Sequence, residues 1–110
     1  MTGEPSYVEL GVPDVPAATA FYGTLLGWAP ESMGGGASVA TSTLGIGIHG
    51  GDEDRHFEVF FAVPDLDAAM VSITALGGGF DSEVRDSEGF GRWVECHDDQ
   101  GVRFGLREDG

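Results

Sequence analysis

The stretch from Tyr7 to Leu25 returns later in the chain, at one fixed offset, as Glu58 to Leu76. Val8, Val12, Pro13, Asp14, Ala17, Ala18 and Leu25 of the first copy match Val59, Val63, Pro64, Asp65, Ala68, Ala69 and Leu76 of the second. A self-match of this kind means that one supersecondary unit is built twice. It confines the chain to folds made of two like halves. The repeat is expected over residues 6–50 and 56–108, joined by an acidic, glycine-rich linker at 50–55, within a single domain spanning 1–110. A chain of 110 residues is long enough for one modest core.

Each copy opens on a strand. In 6–12, Val8, Leu10 and Val12 point one way and Tyr7, Glu9 and Gly11 the other. Pro13 ends the strand and Asp14 is placed to cap a helix, with Pro16 in its first turn. Val15, Ala18, Phe21, Tyr22, Leu25 and Leu26 form an apolar helical stripe that Gly27 stops. Short strands are expected at 28–33, 37–41 and 44–49. In the second copy Phe57, Val59, Phe61 and Val63 share one strand face and Glu58, Phe60 and Ala62 the other. Asp65 caps the second helix, with Leu66, Ala69, Met70, Ile73 and Leu76 on its apolar side. Strands follow at 80–85, 91–97 and 102–107, with Asp98-Asp99-Gln100-Gly101 as a tight turn. The pattern is βαβββ written twice. The expected fold class is α+β: two βαβββ units forming a curved eight-stranded mixed sheet around a cavity.

Composition narrows the partners. Nineteen acidic residues face five basic ones, all arginine, for a net charge of −14. Such a chain repels phosphate backbones, so neither nucleic acid nor an anionic membrane is an expected partner. With no long apolar run and no basic-then-apolar start, neither a membrane span nor a secretory signal is expected. The single cysteine, Cys96, forms no internal disulfide, and a reducing cytoplasm is the expected location.

Phe21-Tyr22-Gly23-Thr24-Leu25-Leu26-Gly27-Trp28 resembles the helix-end signature of the vicinal oxygen chelate superfamily, which holds glyoxalases, bleomycin-resistance proteins, fosfomycin-resistance enzymes and extradiol dioxygenases. Val12-Pro13-Asp14 and Val63-Pro64-Asp65 are similar to its strand-to-helix corners. Asp98-Asp99-Gln100-Gly101 resembles its Asp-Pro-x-Gly turn, with Asp99 where proline is usual. The likeness runs from about residue 6 to 108. The opening Glu4–Gly11 is similar to that of a glyoxalase-like branch without an assigned reaction. The resemblance implies the paired βαβββ fold and, in the enzymes, a divalent metal held by the first and last strands of each unit.

Carried over residue by residue, those ligand positions are Tyr7, Glu58, Gly47 and Gly105. Glycine offers no side chain, and neutral tyrosine, with a pKa of about 10, is a poor ligand. One good ligand remains where a catalytic zinc needs about three. A displaced set of His49, Glu58, Glu95 and His97 is the alternative. No residue is therefore assigned a catalytic or metal-ligating role, and no cofactor is expected.

Other constellations lead elsewhere. Gly45-Ile46-Gly47-Ile48-His49-Gly50 fits the letters of a dinucleotide fingerprint, but the acidic residues after it would repel a pyrophosphate. Cys96 and His97 are strand neighbours and so point to opposite faces. The expected function is metal-free binding of a small molecule, an aromatic or cationic drug-like compound sequestered as in bleomycin resistance. The expected lining is Tyr7, Glu58, Phe60, Trp93, Glu95 and Arg103, and the working unit is a homodimer. The alternative is an isomerase, lyase or hydroxylase using the displaced metal site or Glu58 as general base.

Overall fold

The computed structural model describes residues 3–109 and divides into two compact units: Tyr7–Glu58, and 59–109 together with residues 3–6. Both are βαβββ units of α+β architecture. The N-terminal residues join the second unit through the Gly3 and Ala62 amides, which donate to the Ala62 and Glu4 carbonyls at 2.7 and 2.9 Å.

The first unit holds most of β1 (Pro5–Gly11), α1 (Val15–Leu26), β2 (Glu31–Met33), β3 (Gly36–Ala40) and β4 (Gly45–His49). Its strands run in the order β2-β3-β4-β1, with β4 parallel to β1 and the other pairs antiparallel. The Asp14 carboxylate accepts from the Ala17 amide at 3.1 Å, so the predicted cap starts α1. Gly27 ends it in the left-handed conformation, at φ 75°. The core gathers Leu10, Ala18, Ala37 and Ile48, with Val12, Val15 and Tyr22 against them.

Two expectations fail here. The strand foreseen at 28–33 is formed only over Glu31–Met33; Trp28 lies before it, with its ring stacked on Tyr22 at 5.2 Å between centroids. The apolar stripe of α1 is also only half used. Val15, Ala18 and Tyr22 face the sheet, whereas Phe21, Leu25 and Leu26 are 61%, 64% and 53% exposed. The stripe is wider than the sheet surface available to it, so its far side meets solvent.

The second unit contains β5 (His56–Val63, from Val59 onward), α2 (Leu66–Ala75), β6 (Gly79–Phe80), β7 (Arg85–Ser87), β8 (Gly91–His97) and β9 (Arg103–Glu108). Its order is β5-β9-β8-β6, with β7 also on β8 and β5 parallel to β9. Asp65 caps α2 by accepting from the Ala68 amide at 3.0 Å. Leu66, Val94, Cys96 and Leu106 form the core, flanked by Phe61, Val63, Ala69, Met70, Ile73 and Phe104. Cys96 is thus the buried apolar residue that strand alternation predicts.

The strand expected at 80–85 is instead two pieces, β6 and β7, both antiparallel to β8. Ser82 interrupts it: its hydroxyl accepts from the Glu95 amide at 2.9 Å and takes the place of a backbone ladder bond. The turn at 98–101 forms as foreseen. The Asp98 carboxylate accepts from the amides of Gln100 and Val102 at 2.8 and 2.9 Å, and these hold its pKa below the usual range, Val102 foremost.

Candidate functional site

In the first unit, β1 and β4 lie in register with Tyr7 opposite Gly45, Glu9 opposite Gly47 and Gly11 opposite His49. The face away from α1 therefore carries two polar side chains of β1 over a row of glycines. The Tyr7 hydroxyl donates to Glu9 Oε1 at 2.8 Å, and both groups lie where a side chain at Gly47 would be. His49 is held at both ring nitrogens, Nδ1 at 2.6 Å from Glu9 Oε2 and Nε2 at 2.9 Å from Asp52 Oδ2. Only the imidazolium can donate from both. Burial opposes the charged ring, but the hydrogen bonds to Glu9 and Asp52 together outweigh it, so the His49 pKa lies above the ordinary histidine value. The same bond from His49, helped by the Asp54 amide, holds the Asp52 carboxyl below its usual range.

The chain of polar groups goes on from Asp52. His56 Nδ1 is 3.8 Å from Asp52 Oδ2, and His56 Nε2 is 3.7 Å from Glu58 Oε1. Glu58 is 2% exposed and is a buried charged residue of the structure. Tyr7, Glu9, His49 and Asp52 thus form a hydrogen-bonded line, and His56 extends it at 3.7–3.8 Å toward the buried Glu58 carboxyl.

The second unit presents a different surface opposite α2. The Phe60, Phe90 and Trp93 rings meet edge to face in a three-way cluster, with centroids 5.8–6.2 Å apart. The Arg107 guanidinium lies over Phe90 at 4.1 Å and donates from Nε to the Phe90 carbonyl at 2.9 Å. Arg85 lies over Trp93 at 5.4 Å. Trp93 Nε1 donates to Ser87 Oγ at 3.0 Å, which fixes the indole. Beyond the rings, Arg103 approaches Glu95 at 3.5 Å. Phe60 sits opposite Gly105 in the parallel pair, and a side chain at Gly105 would strike its ring.

Of the six residues predicted to line a site, Tyr7 and Glu58 belong to the first unit, and Phe60, Trp93, Glu95 and Arg103 to the second. The structure brings Phe60 to Trp93 and Glu95 to Arg103. It engages Tyr7 with Glu9 and sets Glu58 beside His56. The sequence reading missed Asp52 and His56 as members of the polar line. Asp52 lies in the aperiodic linker and His56 is the first residue of β5, so neither was marked by a strand or helix period. Phe90 precedes β8, and only its contacts show that it completes the ring cluster.

The metal ligands that the fold implies do not fit this chain. At Gly47 and Gly105 the space of a ligand side chain is filled by Tyr7 with Glu9 and by the Phe60 ring. Of the displaced set, His49 in the first unit is bonded to Glu9 and Asp52, and in the second unit His97 Nδ1 lies 3.0 Å from Asp81 while Glu95 faces Arg103. Among the described residues no three His, Cys, Asp or Glu side chains are grouped to hold a metal ion. The dinucleotide letters at 45–50 fall on β4, without the helix opening that mechanism needs.

No protein-family model matches the chain. It is 29% identical over 131 aligned positions to the anthracycline biosynthesis protein DauV of Streptomyces sp. (strain C5), matching 98% of this chain and 48% of that protein. The chain thus spans about half the length of this curated relative. Among solved structures, methylmalonyl-CoA epimerase from Mycobacterium tuberculosis superposes with a TM-score of 0.68 at 23% identity, over 98% of this chain and 88% of that one. The Streptomyces coelicolor epimerase in complex with 2-nitronate-propionyl-CoA gives 0.66 at 18% identity, over 98% of each chain. Among the described residues no helix is long and apolar enough to cross a membrane. The superpositions, over nearly the whole chain, show the α+β fold of these epimerases, in agreement with the expected architecture.

Proposed function

We propose that the protein binds a flat aromatic small molecule without a bound metal, and that the ring-and-arginine face of the second unit receives it. The observation that carries this reading is the Phe60–Phe90–Trp93 cluster with Arg107 and Arg85 over two of its rings. Phe60 is buried and backs the cluster, so the part-exposed Phe90 and Trp93 are the rings on which a planar ligand can stack, and guanidinium groups pair with its carbonyl or phenolic oxygens. The filled ligand positions at Gly47 and Gly105 favour reception over metal-assisted chemistry. The name of the curated relative supplies the compound class: an anthracycline is a fused aromatic system bearing quinone and hydroxyl oxygens. A pair of chains is the working unit in this reading.

Titration with doxorubicin, followed by quenching of tryptophan and drug fluorescence, tests it. Saturable binding with intact drug recovered by chromatography is the expected result. Trp93→Ala weakens binding by about tenfold, the scale of one lost stacking contact. Unsaturable quenching, or affinity untouched by Trp93→Ala and Arg107→Ala, would defeat the proposal.

A second reading rests on Glu58. A carboxyl this buried, beside His56 at 3.7 Å, suits proton transfer in an isomerase, lyase or hydroxylase reaction. Conversion of the bound compound to a product, abolished by Glu58→Gln, would favour it. Elemental analysis of protein purified without chelators would show whether an ion accompanies that activity.

A further inference from the structure

From Val15 to Pro30 no residue is charged, in a chain where 22% of residues are. This stretch is α1 and the turn after it, and only the side of α1 that carries Val15, Ala18 and Tyr22 packs on the core. Phe21, Leu25 and Leu26 of α1 are more than half exposed, and so is Phe57 at 53%. The four aromatics here are in contact: Phe21 meets Tyr22 edge-on at 5.1 Å, Tyr22 meets Phe57 at 6.1 Å and stacks on Trp28 at 5.2 Å. The surface is therefore an apolar helix face anchored on a rigid aromatic ladder, with no like charge to keep it apart from anything.

We infer that this face of α1, with Phe57, is the surface on which a second copy of the chain docks. The argument for the occupant is electrostatic. Each copy carries −14, so most faces of two copies repel. The α1 face is one that two copies can bring together without opposing carboxylates. A two-fold contact places the same patch on both sides, and an apolar uncharged patch is complementary to itself. Exposed aromatics are the side chains that dominate such contacts once desolvated. This inference deepens the paired-chain reading and rests on it.

Sedimentation velocity over a range of concentrations reads the outcome, with circular dichroism as a check on folding. The wild type is expected to dimerise. Phe21→Glu and Leu25→Glu, each placing a carboxylate on a side chain already in solvent, raise the dimer dissociation constant by about 30-fold or more. Val71→Glu, on the exposed side of α2 at 71% exposure, leaves it unchanged. A wild type that stays monomeric at every concentration overturns both the paired-chain reading and this surface. Monomers would point to another protein, or a neutral lipid surface, as the occupant. A dimer that survives both α1 variants overturns this surface alone. Doxorubicin binding, measured on the wild type and on both α1 variants whatever their association state, separates either failure from that of the small-molecule reading.

Discussion

The most telling residues are two glycines. The resemblance implies last-strand metal ligands at Gly47 and Gly105, and each of these glycines lies under a neighbour's side chain. Absence of a side chain is itself the adaptation: it lets Tyr7 with Glu9, and Phe60, lie flat on the strands. Gly105→Ala would push a methyl group into a ring that is 3% exposed and has nowhere to go. It should cost about 1–3 kcal/mol in urea unfolding, the range for overpacking a filled site. His49 permits a second prediction at this scale. Its pKa is raised on folding, so its contribution is fully present below the unfolded value and is lost as pH rises through the folded value. Stability should therefore fall as pH rises from about 6.5 through the folded pKa. A His49→Gln variant, which keeps hydrogen bonds but does not titrate there, should lack that slope. Denaturant midpoints measured at successive pH values decide this, and equal slopes in the two proteins would count against the double carboxylate grip.

At the level of elements, the repeat makes a paired experiment possible. Asp14 and Asp65 are equivalent in sequence, and each caps its helix through the amide three residues on, at 3.1 and 3.0 Å. Asp14→Ala and Asp65→Ala should each cost about 1 kcal/mol. The Asp65 variant tests the second unit and the Asp14 variant the first, so a difference in m-value between them would report separate unfolding of the units. These caps were readable in the sequence because a proline, an aspartate and an apolar period converge on one helix start. The split of the 80–85 strand was not. Its cause is a serine hydroxyl bonding to an amide on another strand, a long-range event with no local signature. The same holds for Phe90, whose loop has no period, for Asp52 in the linker and for His56 at the start of β5. Strand faces were legible wherever alternation ran unbroken, which is why Phe60, Trp93, Glu95 and Arg103 were assigned to one face. The width of the α1 stripe was legible too, but not how much of it the sheet could cover.

For the whole molecule, net charge decides the response to salt. Nineteen carboxylates against five arginines leave repulsion as the larger electrostatic sum. Among the described residues the ion pairs include exposed ones, such as Arg92 with Asp67 at 3.0 Å and Arg55 with Glu53 at 3.9 Å. Exposed pairs of this kind contribute about 0–1 kcal/mol each. Raising sodium chloride shortens the screening length from roughly 30 Å at 0.01 M to about 3 Å at 1 M, which removes distant repulsion and contact attraction alike. Repulsion involves far more pairs, so the thermal midpoint should rise with salt. Self-association gives the sharper version of this prediction. If two copies meet on the uncharged face of α1, salt screens the mutual repulsion of the two acidic bodies and removes no attraction at the contact. Dimerisation should then tighten as sodium chloride rises. An interface held by arginine–carboxylate pairs would respond in the opposite direction. Sedimentation at low and high salt reads the sign directly, and a dimer that weakens with salt would place the contact on a charged surface instead of on α1.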